Sequence, residues 1–546
     1  MNEITKSITF LKEYKQLKRA VDEGKTPVLA VGLSAIHKAH LAAALGLDTG
    51  RPVLVLTDDD NAANRFAADL RGFSERDIVQ LPSRELVMAD VVGVSRGYEQ
   101  RRLAALDELR DAHFAVASVQ AAAQRTMPPE ALKAAIVSLA TGETAPLDEL
   151  AQSLTRAGYE RCVQVEGTGQ FSIRGGILDV FPPQAEHPYR VEFWDDEIDS
   201  ISTFDVGSQR RLEQCECLRC LPCMESIPAL AKGGAAGLAK AVLALTSTRR
   251  KKQHADLQTN LERDAERLRE TGSLPAADKY MPLIYPEMAT AFDYLPENAI
   301  VIIEDTPRLR DAVRDFHARV ADDVTALLER GEMPPALGEY ALDFVGVCSV
   351  KRQILRLDSF LNNVAELTPQ HLENFIANQM NAYGGNLDMA SADIRSYTEQ
   401  GRAVAVVCGS ALRCQNMLDA LTDTGLNVKI SDLLPKGGCV NIMEGTLSAG
   451  FEYPDLGLVV MTEGQVLARR KKTQVKKSNR DKVKSYTDLT PGHLVVHEHH
   501  GIGRFIGMER MTVDGSERDF IKIAFAGTDF LYVPATSLDL ISKYIG

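Results

Sequence analysis

Short apolar runs alternate with amphipathic stretches over the first 125 residues. Strand-like runs at 27–31 and 52–57 are each followed by apolar residues at helical spacing, at 35–45 and 61–70. This alternation of strand and helix predicts a parallel sheet covered by helices.

The same pattern returns in the second half of the chain. Strand candidates at 403–407, 428–430 and 457–462 surround a helix candidate at 411–421, which predicts a further α/β region. No cluster of acids, nucleophiles or metal ligands marks that region.

A hairpin is predicted around the chain's only tryptophan. Side chains alternate across a strand, so in 188–194 Val191 and Phe193 take one face while Arg190, Glu192 and Trp194 share the other. An acidic run at 195–197 then turns the chain. Trp beside Arg is typical of a protein-binding anchor; the alternative is a strand Trp that only packs against a neighbouring domain.

The C-terminal residues predict a small β unit. Strand candidates at 492–497, 501–508, 519–525 and 529–533 are separated by Gly-containing turns, which favours an SH3-like or Tudor-like barrel. His497, His499 and His500 fall in one turn without a distant ligand, so we assign no metal to them.

The first strand leads into a loop with the outline of a nucleotide site. A P-loop, G-x4-G-K-[ST], needs its second Gly for phosphate approach and its hydroxyl for Mg²⁺. Here Gly32 and Lys38 are present, but His37 replaces that Gly and Ala39 replaces the hydroxyl. The run 299–303 followed by Glu304 and Asp305 occupies a Walker B position with the acids reversed. We interpret both as degenerate and expect no catalytic residue in this chain.

Composition limits the class of protein. With 546 residues, 45% hydrophobic and 25% charged, the chain is typical of a soluble protein of three to four domains. No signal peptide or membrane-length apolar run is present, which favours a cytoplasmic protein without membrane contact. The formal net charge of −13 argues against a surface that coats nucleic acid throughout.

One segment is strongly basic. Residues 469–484 carry nine Lys or Arg against a single Asp481. Such a block is typical of an extended tether, and contact with DNA phosphates is the other interpretation. The candidates for DNA contact are Arg469, Arg470, Lys471, Lys472, Lys476 and Lys477.

Four cysteines are crowded at Cys215, Cys217, Cys220 and Cys223. Thiolates suit zinc or iron–sulfur clusters, but the second, distant pair of a usual zinc site is missing. We interpret them as small core residues and predict no metal.

The longest family signature lies at 169–204. It reads F-S-I-R-G-G-I-L-D-V-F-P and then P-Y-R-V-E-F-W-D-D-E-I-D-S-I, and it resembles the domain that transcription-repair coupling factors share with UvrB. The resemblance implies UvrA contacts at Arg174, Arg190 and Trp194, where the family often has Phe in place of Trp194. It also implies degenerate helicase-like halves at 1–125 and 213–350. Between Phe73 and Phe114 only Tyr98 is aromatic, so UvrB's Tyr-rich damage probe is not expected.

The C-terminal string PGHLVVHEHHGIGRFIGMERM…DFIKIAFAGTDFLYVP resembles the polymerase-interacting module of the same family, shared with CarD-type regulators. The resemblance implies strand addition to the RNA polymerase β subunit, with the contact at Met511 beside Arg510 and Thr512. Alternatively, Met511 belongs to the barrel core.

The patterns and the resemblance together divide the chain into six segments. The resemblance implies that 1–125 and 213–350 are the helicase-like parts, 126–212 the UvrA-binding module and 489–546 the polymerase-interacting domain, while 351–465 is the middle domain and 466–488 the linker. The resemblance implies the adaptor half of a coupling factor, with an ATP-driven translocase further along the protein. We therefore expect no cofactor in this chain, ATP and Mg²⁺ only in the motor, and double-stranded DNA upstream of a stalled polymerase as a further partner. The alternatives are an active UvrB-like DNA helicase and a standalone CarD-type regulator.

Overall fold

The structure, a computed structural model, describes residues 2–88, 97–245, 255–334, 337, 339–380, 382–434, 438–467, 492–497, 501–513, 516–524, 530–534 and 541–543. The chain divides into two units, Met1–Val466 and Leu467–Gly546. No helix among the described residues is long and apolar enough to cross a membrane.

The strands are β1 Val28–Val31, β2 Val53–Thr57, β3 Ile78–Leu81, β4 Phe114–Ser118, β5 Val137–Ala140, β6 Glu160–Arg161, β7 Gln170–Arg174, β8 Ile177–Val180, β9 Tyr189–Trp194, β10 Glu197–Phe204, β11 Arg211–Cys215, β12 Cys217–Cys220, β13 Ile300–Glu304, β14 Gln353–Leu357, β15 His371–Asn374, β16 Asn378–Gln379, β17 Ala403–Cys408, β18 Val428–Ile430, β19 Val440–Glu444, β20 Phe451–Tyr453, β21 Leu458–Thr462, β22 Leu494–His497, β23 Gly501–Val513, β24 Ser516–Ala524, β25 Phe530–Pro534 and β26 Ile541–Lys543.

The α-helices are α1 Asn2–Ser7, α2 Lys12–Asp22, α3 Ala35–Thr49, α4 Asp60–Phe73, α5 Gly97–Leu109, α6 Val119–Ala123, α7 Pro129–Ala135, α8 Leu147–Arg156, α9 Gly234–Ala244, α10 Ala255–Thr271, α11 Met281–Ile284, α12 Thr306–Glu329, α13 Phe344–Cys348, α14 Leu387–Glu399, α15 Ala411–Asp423 and α16 Glu463–Val466.

A parallel sheet of seven strands, in the order β15-β1-β14-β13-β2-β4-β3, organises the first unit. The central strand β13 is apolar on both faces: Ile300 and Ile302 point into one core, and Val301 and Ile303 point into the other. A sheet buried on both sides requires such continuous apolar runs. The predicted parallel sheet is therefore confirmed.

Both segments that the sequence predicts to be helicase-like contribute to this one sheet. Strands β1 to β4 come from the first segment and β13 from the second, but β14 and β15 lie beyond residue 350. The sheet thus continues past the boundary that the sequence predicts between 350 and 351.

A separate sheet, β11-β10-β9-β8-β7-β6, forms the inserted module. Its inner face packs Phe171, Leu178, Val191 and Ile201 against α8. The chain enters the module through β5 and leaves through β12, and these two strands pair antiparallel with each other. This pairing joins the two ends of the module.

The middle domain contains a mixed sheet in the order β16-β20-β21-β17-β19-β18, as the predicted α/β pattern requires. It packs directly on the first domain, because Phe451 and Tyr453 of β20 lie in the same core as α3 and α4. In addition, Ser448 donates from its backbone N and its Oγ to the Asp69 carboxylate of α4, at 2.8 and 2.7 Å.

The second unit is an antiparallel sheet in the order β25-β24-β23-β22-β26. Strands β22 to β25 overlap the four predicted strands, although β23 extends to Val513, and β26 was not predicted. The finer expectation of an SH3-like or Tudor-like barrel stays a prediction.

Candidate functional site

Trp194 stands at the exposed end of β9. Its side chain is 82% exposed, whereas Val191 on the opposite face of the strand is fully buried. Trp194 pairs with Glu197 across the hairpin, and Asp195 in the turn has the left-handed φ of 58°. Asp195, Asp196 and Glu197 are all exposed. The alternation read from the sequence is therefore confirmed, and the Trp side chain is open to a partner.

Two arginines on the same face converge on one buried carboxylate. Arg190 donates from Nε to Asp179 Oδ1 at 2.7 Å and from Nη2 to Oδ2 at 2.9 Å. Arg174 donates from Nη2 to the same Oδ2 at 2.6 Å. Asp179 is only 1% exposed, and its hydrogen bonds raise the pKa of Arg190 above the usual arginine value.

The two arginine side chains differ in how many contacts hold them and in how far they are exposed. Arg190 also donates to Gln209 Oε1 at 3.2 Å and lies 4.5 Å from the Phe204 ring centroid, so most of its donors are used inside the module. The Arg174 side chain is 49% exposed. Sequence reasoning missed Asp179, because its place opposite Arg190 follows from the β8–β9 register, for which the sequence carries no local signal.

The loop that the sequence predicts as a degenerate nucleotide site is short, and the backbone at Phe375 packs against it. Gly32 has φ 84°, and a Cβ there would lie 2.2 Å from the Phe375 carbonyl oxygen. This Gly is thus required by close backbone packing. Helix α3 begins at Ala35, so His37, Lys38 and Ala39 all lie in its first turns.

Lys38 has an internal partner. Its Nζ lies 3.7 Å from Glu304 Oε1 and 3.5 Å from Ser359 Oγ, and the residue is 3% exposed. Burial raises the pKa of Glu304, and Lys38 opposes that rise. A cavity of about 260 Å³ adjoins these groups and is lined by charges of both signs, among them Arg65, Arg308 and Asp305.

His37 fills the position of the missing glycine. Its Nδ1 lies 2.7 Å from Ser34 Oγ, and its ring contacts Phe451 and Tyr453 edge-on at centroid distances of 5.4 and 5.0 Å. Burial lowers its pKa to about 3, so the imidazole is neutral. Ala39 is fully buried. Middle-domain aromatics therefore cover the helix turn that begins a phosphate site in a P-loop protein.

The four crowded cysteines do not converge. Cys220 and Cys223 are buried in the core of the inserted module, Cys215 packs at its margin and Cys217 is exposed. Burial raises the pKa of the Cys220 thiol to about 12. Within the described ranges, no group of three or more His, Cys, Asp or Glu side chains could hold a metal ion.

In the second unit, the C-terminal half of β23 is paired with a neighbouring strand on one side only. Residues 507–513 pair with β24 on one side, with Arg510, Met511 and Thr512 opposite Asp519, Arg518 and Glu517. On the other side β22 reaches only Arg504, apart from two backbone hydrogen bonds at Phe505. In the part of the chain that the structure describes, no strand pairs with that side of 507–513. The DNA-contact candidates from Arg469 to Lys477, and His499 and His500, lie outside the described residues.

Comparison with known proteins assigns two of these regions. Residues 137–225 match the UvrB interaction domain, and residues 489–545 match the CarD-like/TRCF RID domain. The transcription-repair-coupling factor of Bacillus subtilis is 31% identical and covers 98% of this chain and 47% of its own length. The Staphylococcus haemolyticus protein is 27% identical, covering 96% of this chain and 45% of its own length.

Among solved structures, the DUF1998 helicase MrfA bound to DNA aligns over 81% of this chain and 42% of that chain, with a TM-score of 0.22 and 8% identity. A likeness this weak carries no argument.

The fold and the matched domains define a multidomain α/β protein with a UvrB interaction domain and a CarD-like/TRCF RID domain. More particularly, the chain is homologous to the transcription-repair-coupling factors over nearly all of its own length. It spans just under half the length of these relatives.

Proposed function

We propose that this chain is the docking part of a transcription-repair coupling factor, which recruits UvrA through the inserted module and the RNA polymerase β subunit through the second unit. The observation that carries the proposal is the 82% exposed Trp194 on the same face of the sheet as the Arg174 and Arg190 pair, in a module that matches the UvrB interaction domain. An exposed Trp with organised arginines supplies a large contact area and directed donors for little loss of rotamer freedom.

Strand addition is the proposed mode at the polymerase. Residues 507–513 offer backbone donors and acceptors along one side of β23. Such an edge pairs with a strand of another protein, and alternate side chains supply specificity. Arg510, Met511 and Thr512 lie on this segment.

We further propose that the chain does not hydrolyse ATP. Lys38 is engaged by Glu304 and Ser359, and Ala39 has no hydroxyl for a metal. ATP and Mg²⁺ use then belongs to the part of the relatives that this chain does not match. Double-stranded DNA would contact the basic segment 469–484 and the motor, and the protein would act in the cytoplasm.

The test is binding of the full chain to UvrA and, separately, to RNA polymerase. Trp194→Ala should weaken UvrA binding by about 2 kcal/mol or more, because a central aromatic anchor is lost, and leave polymerase binding intact. Val163→Ala is the matched control, since Val163 is an 88% exposed apolar residue of the same module. Unchanged UvrA affinity in Trp194→Ala would contradict the proposal, and equal loss for both partners would indicate misfolding.

A further inference from the structure

We infer that Asp179 is a positioning residue of the docking surface formed by Arg174, Arg190 and Trp194. Its carboxylate fixes the guanidinium groups of the two arginines in the orientation that the partner binds. This inference rests on the proposed function. It assigns a role to a buried residue that the sequence pattern of the surface did not single out.

The first observation is geometric. Asp179 lies on β8, opposite Arg190 on β9 and opposite Ser172 on β7. Its carboxylate accepts three hydrogen bonds of 2.6–2.9 Å from the two arginines, so a single acidic group sets the direction of both. Bidentate pairing to Arg190 uses the planar fork of that guanidinium and leaves it little freedom.

The second observation is the charge balance. Two cations share one carboxylate, so the three side chains together carry one net positive charge. Asp179 is 1% exposed and Arg190 is 15% exposed, whereas Arg174 is 49% exposed. The buried members of the cluster therefore hold the exposed member, which presents its remaining donors to solvent.

The third observation separates direct contact from support. Arg190 is further held by Gln209 and by the face of Phe204, which is fully buried. Its donors are largely satisfied within the module. Loss of Asp179 would thus release Arg174, which donates to it directly, while Arg190 keeps its contacts with Gln209 and Phe204. The change removes no atom that is proposed to reach the partner.

Asp179→Asn tests the inference in the full chain, with UvrA as the probe. This change keeps the size of the side chain but removes the negative charge and one acceptor. We expect UvrA affinity to fall at least about tenfold, because a buried charge pair beneath an interface is broken, while polymerase affinity is unchanged. Asp107→Asn is the matched control: Asp107 also accepts from both terminal nitrogens of an arginine, Arg219, but on α5.

A double-mutant cycle distinguishes positioning from a general structural role. If Asp179 acts through the exposed Arg174, Asp179→Asn should cost at least threefold less affinity in an Arg174→Ala background than in the unchanged chain. Equal losses in both backgrounds, or full UvrA affinity in a folded Asp179→Asn chain, would overturn the inference. Failure of the unchanged chain to bind UvrA would overturn the proposed function itself.

Discussion

The Lys38 ammonium lies 3.7 Å from the Glu304 carboxylate and joins the first turn of α3 to the end of β13. In a working nucleotide site these two positions would face phosphate and metal. Here they face each other, and both side chains are mostly buried. This ion pair therefore connects helix α3 to the sheet.

Lys38→Ala should destabilise the chain without removing an activity. The substitution leaves Glu304 buried without its cation, which we expect to cost about 1–3 kcal/mol in the free energy of unfolding. Urea denaturation measures this loss, with the exposed Lys12 as the control site. DNA-stimulated ATP hydrolysis by the unchanged chain, abolished in Lys38→Ala, would show instead that the site is active.

Phe451→Ala should weaken the packing of the middle domain on the first domain. Phe451 is fully buried, and its ring lies 5.3 Å from His40 and 6.0 Å from Phe73, between ring centroids. We expect a loss of about 3–5 kcal/mol, as for other buried Phe truncations. Phe360→Ala, at an 82% exposed Phe, should change stability by less than about 0.5 kcal/mol. Similar losses at the two sites would contradict this description of the interface.

Stability of the first unit should fall as the pH drops below about 6.5. Burial lowers the pKa of His37 to about 3 and of His40 to about 4. The unfolded chain gains protons at these histidines below pH 6.5, whereas the folded chain gains them only near pH 4 and 3. Each histidine therefore lowers the free energy of unfolding by about 1.4 kcal/mol for every pH unit by which the pH falls within that window.

Equilibrium denaturation at pH 7, 6 and 5 gives this slope. His37→Leu places an apolar residue in the same core. It should reduce the slope of the free energy of unfolding against pH by the contribution of one histidine. The same slope in the variant would show that His37 does not titrate as its burial requires.

Fluorescence offers a direct reading of the docking surface, because Trp194 is the only tryptophan. At 82% exposure its emission should resemble that of tryptophan in water, with strong quenching by acrylamide. A 5-fluorotryptophan label in this chain should then shift its ¹⁹F resonance when UvrA is added, since docking removes the ring from solvent. Strong protection from acrylamide in the free chain would show that the ring is already covered.

The strand edge of the second unit makes a prediction for the polymerase. Alanine at Arg510, Met511 and Thr512 together should weaken binding of the polymerase β subunit and leave UvrA binding unchanged, because only the side chains beside the added strand are altered. Alanine at Ser542 and Lys543, on β26 of the same sheet, is the control. Equal effects from both sets would argue against the 507–513 edge as the contact.

Local pattern predicted many of the strands and helices but not the order in which the strands lie side by side in the sheets. The apolar runs of β1, β2 and β13 are visible in the sequence because a strand buried on both faces must be apolar throughout. Strand β14 lies between β1 and β13 because of packing between residues more than 50 positions apart in the sequence. Periodicity reports only local pattern and cannot predict such pairings. The core beneath α3 was missed for the same reason, since His37 meets Phe451 and Tyr453 from another domain.

The sequence likewise predicted one part of the docking surface and missed another. Alternation placed Trp194 and Arg190 on one face, because the period of a strand is local. The role of Asp179 depends on the register between β8 and β9, which the sequence leaves open.

The pairing of β5 with β12 has a consequence for engineering. Val137 lies opposite Cys220, so the two points where the parent domain is interrupted are about one strand spacing apart. A short Gly-containing linker from Ile136 to Leu221 should therefore close the gap and leave the seven-stranded sheet continuous. The same geometry makes residues 137–220 a portable cassette, which could be exchanged between homologues to transfer partner choice without redesigning the host.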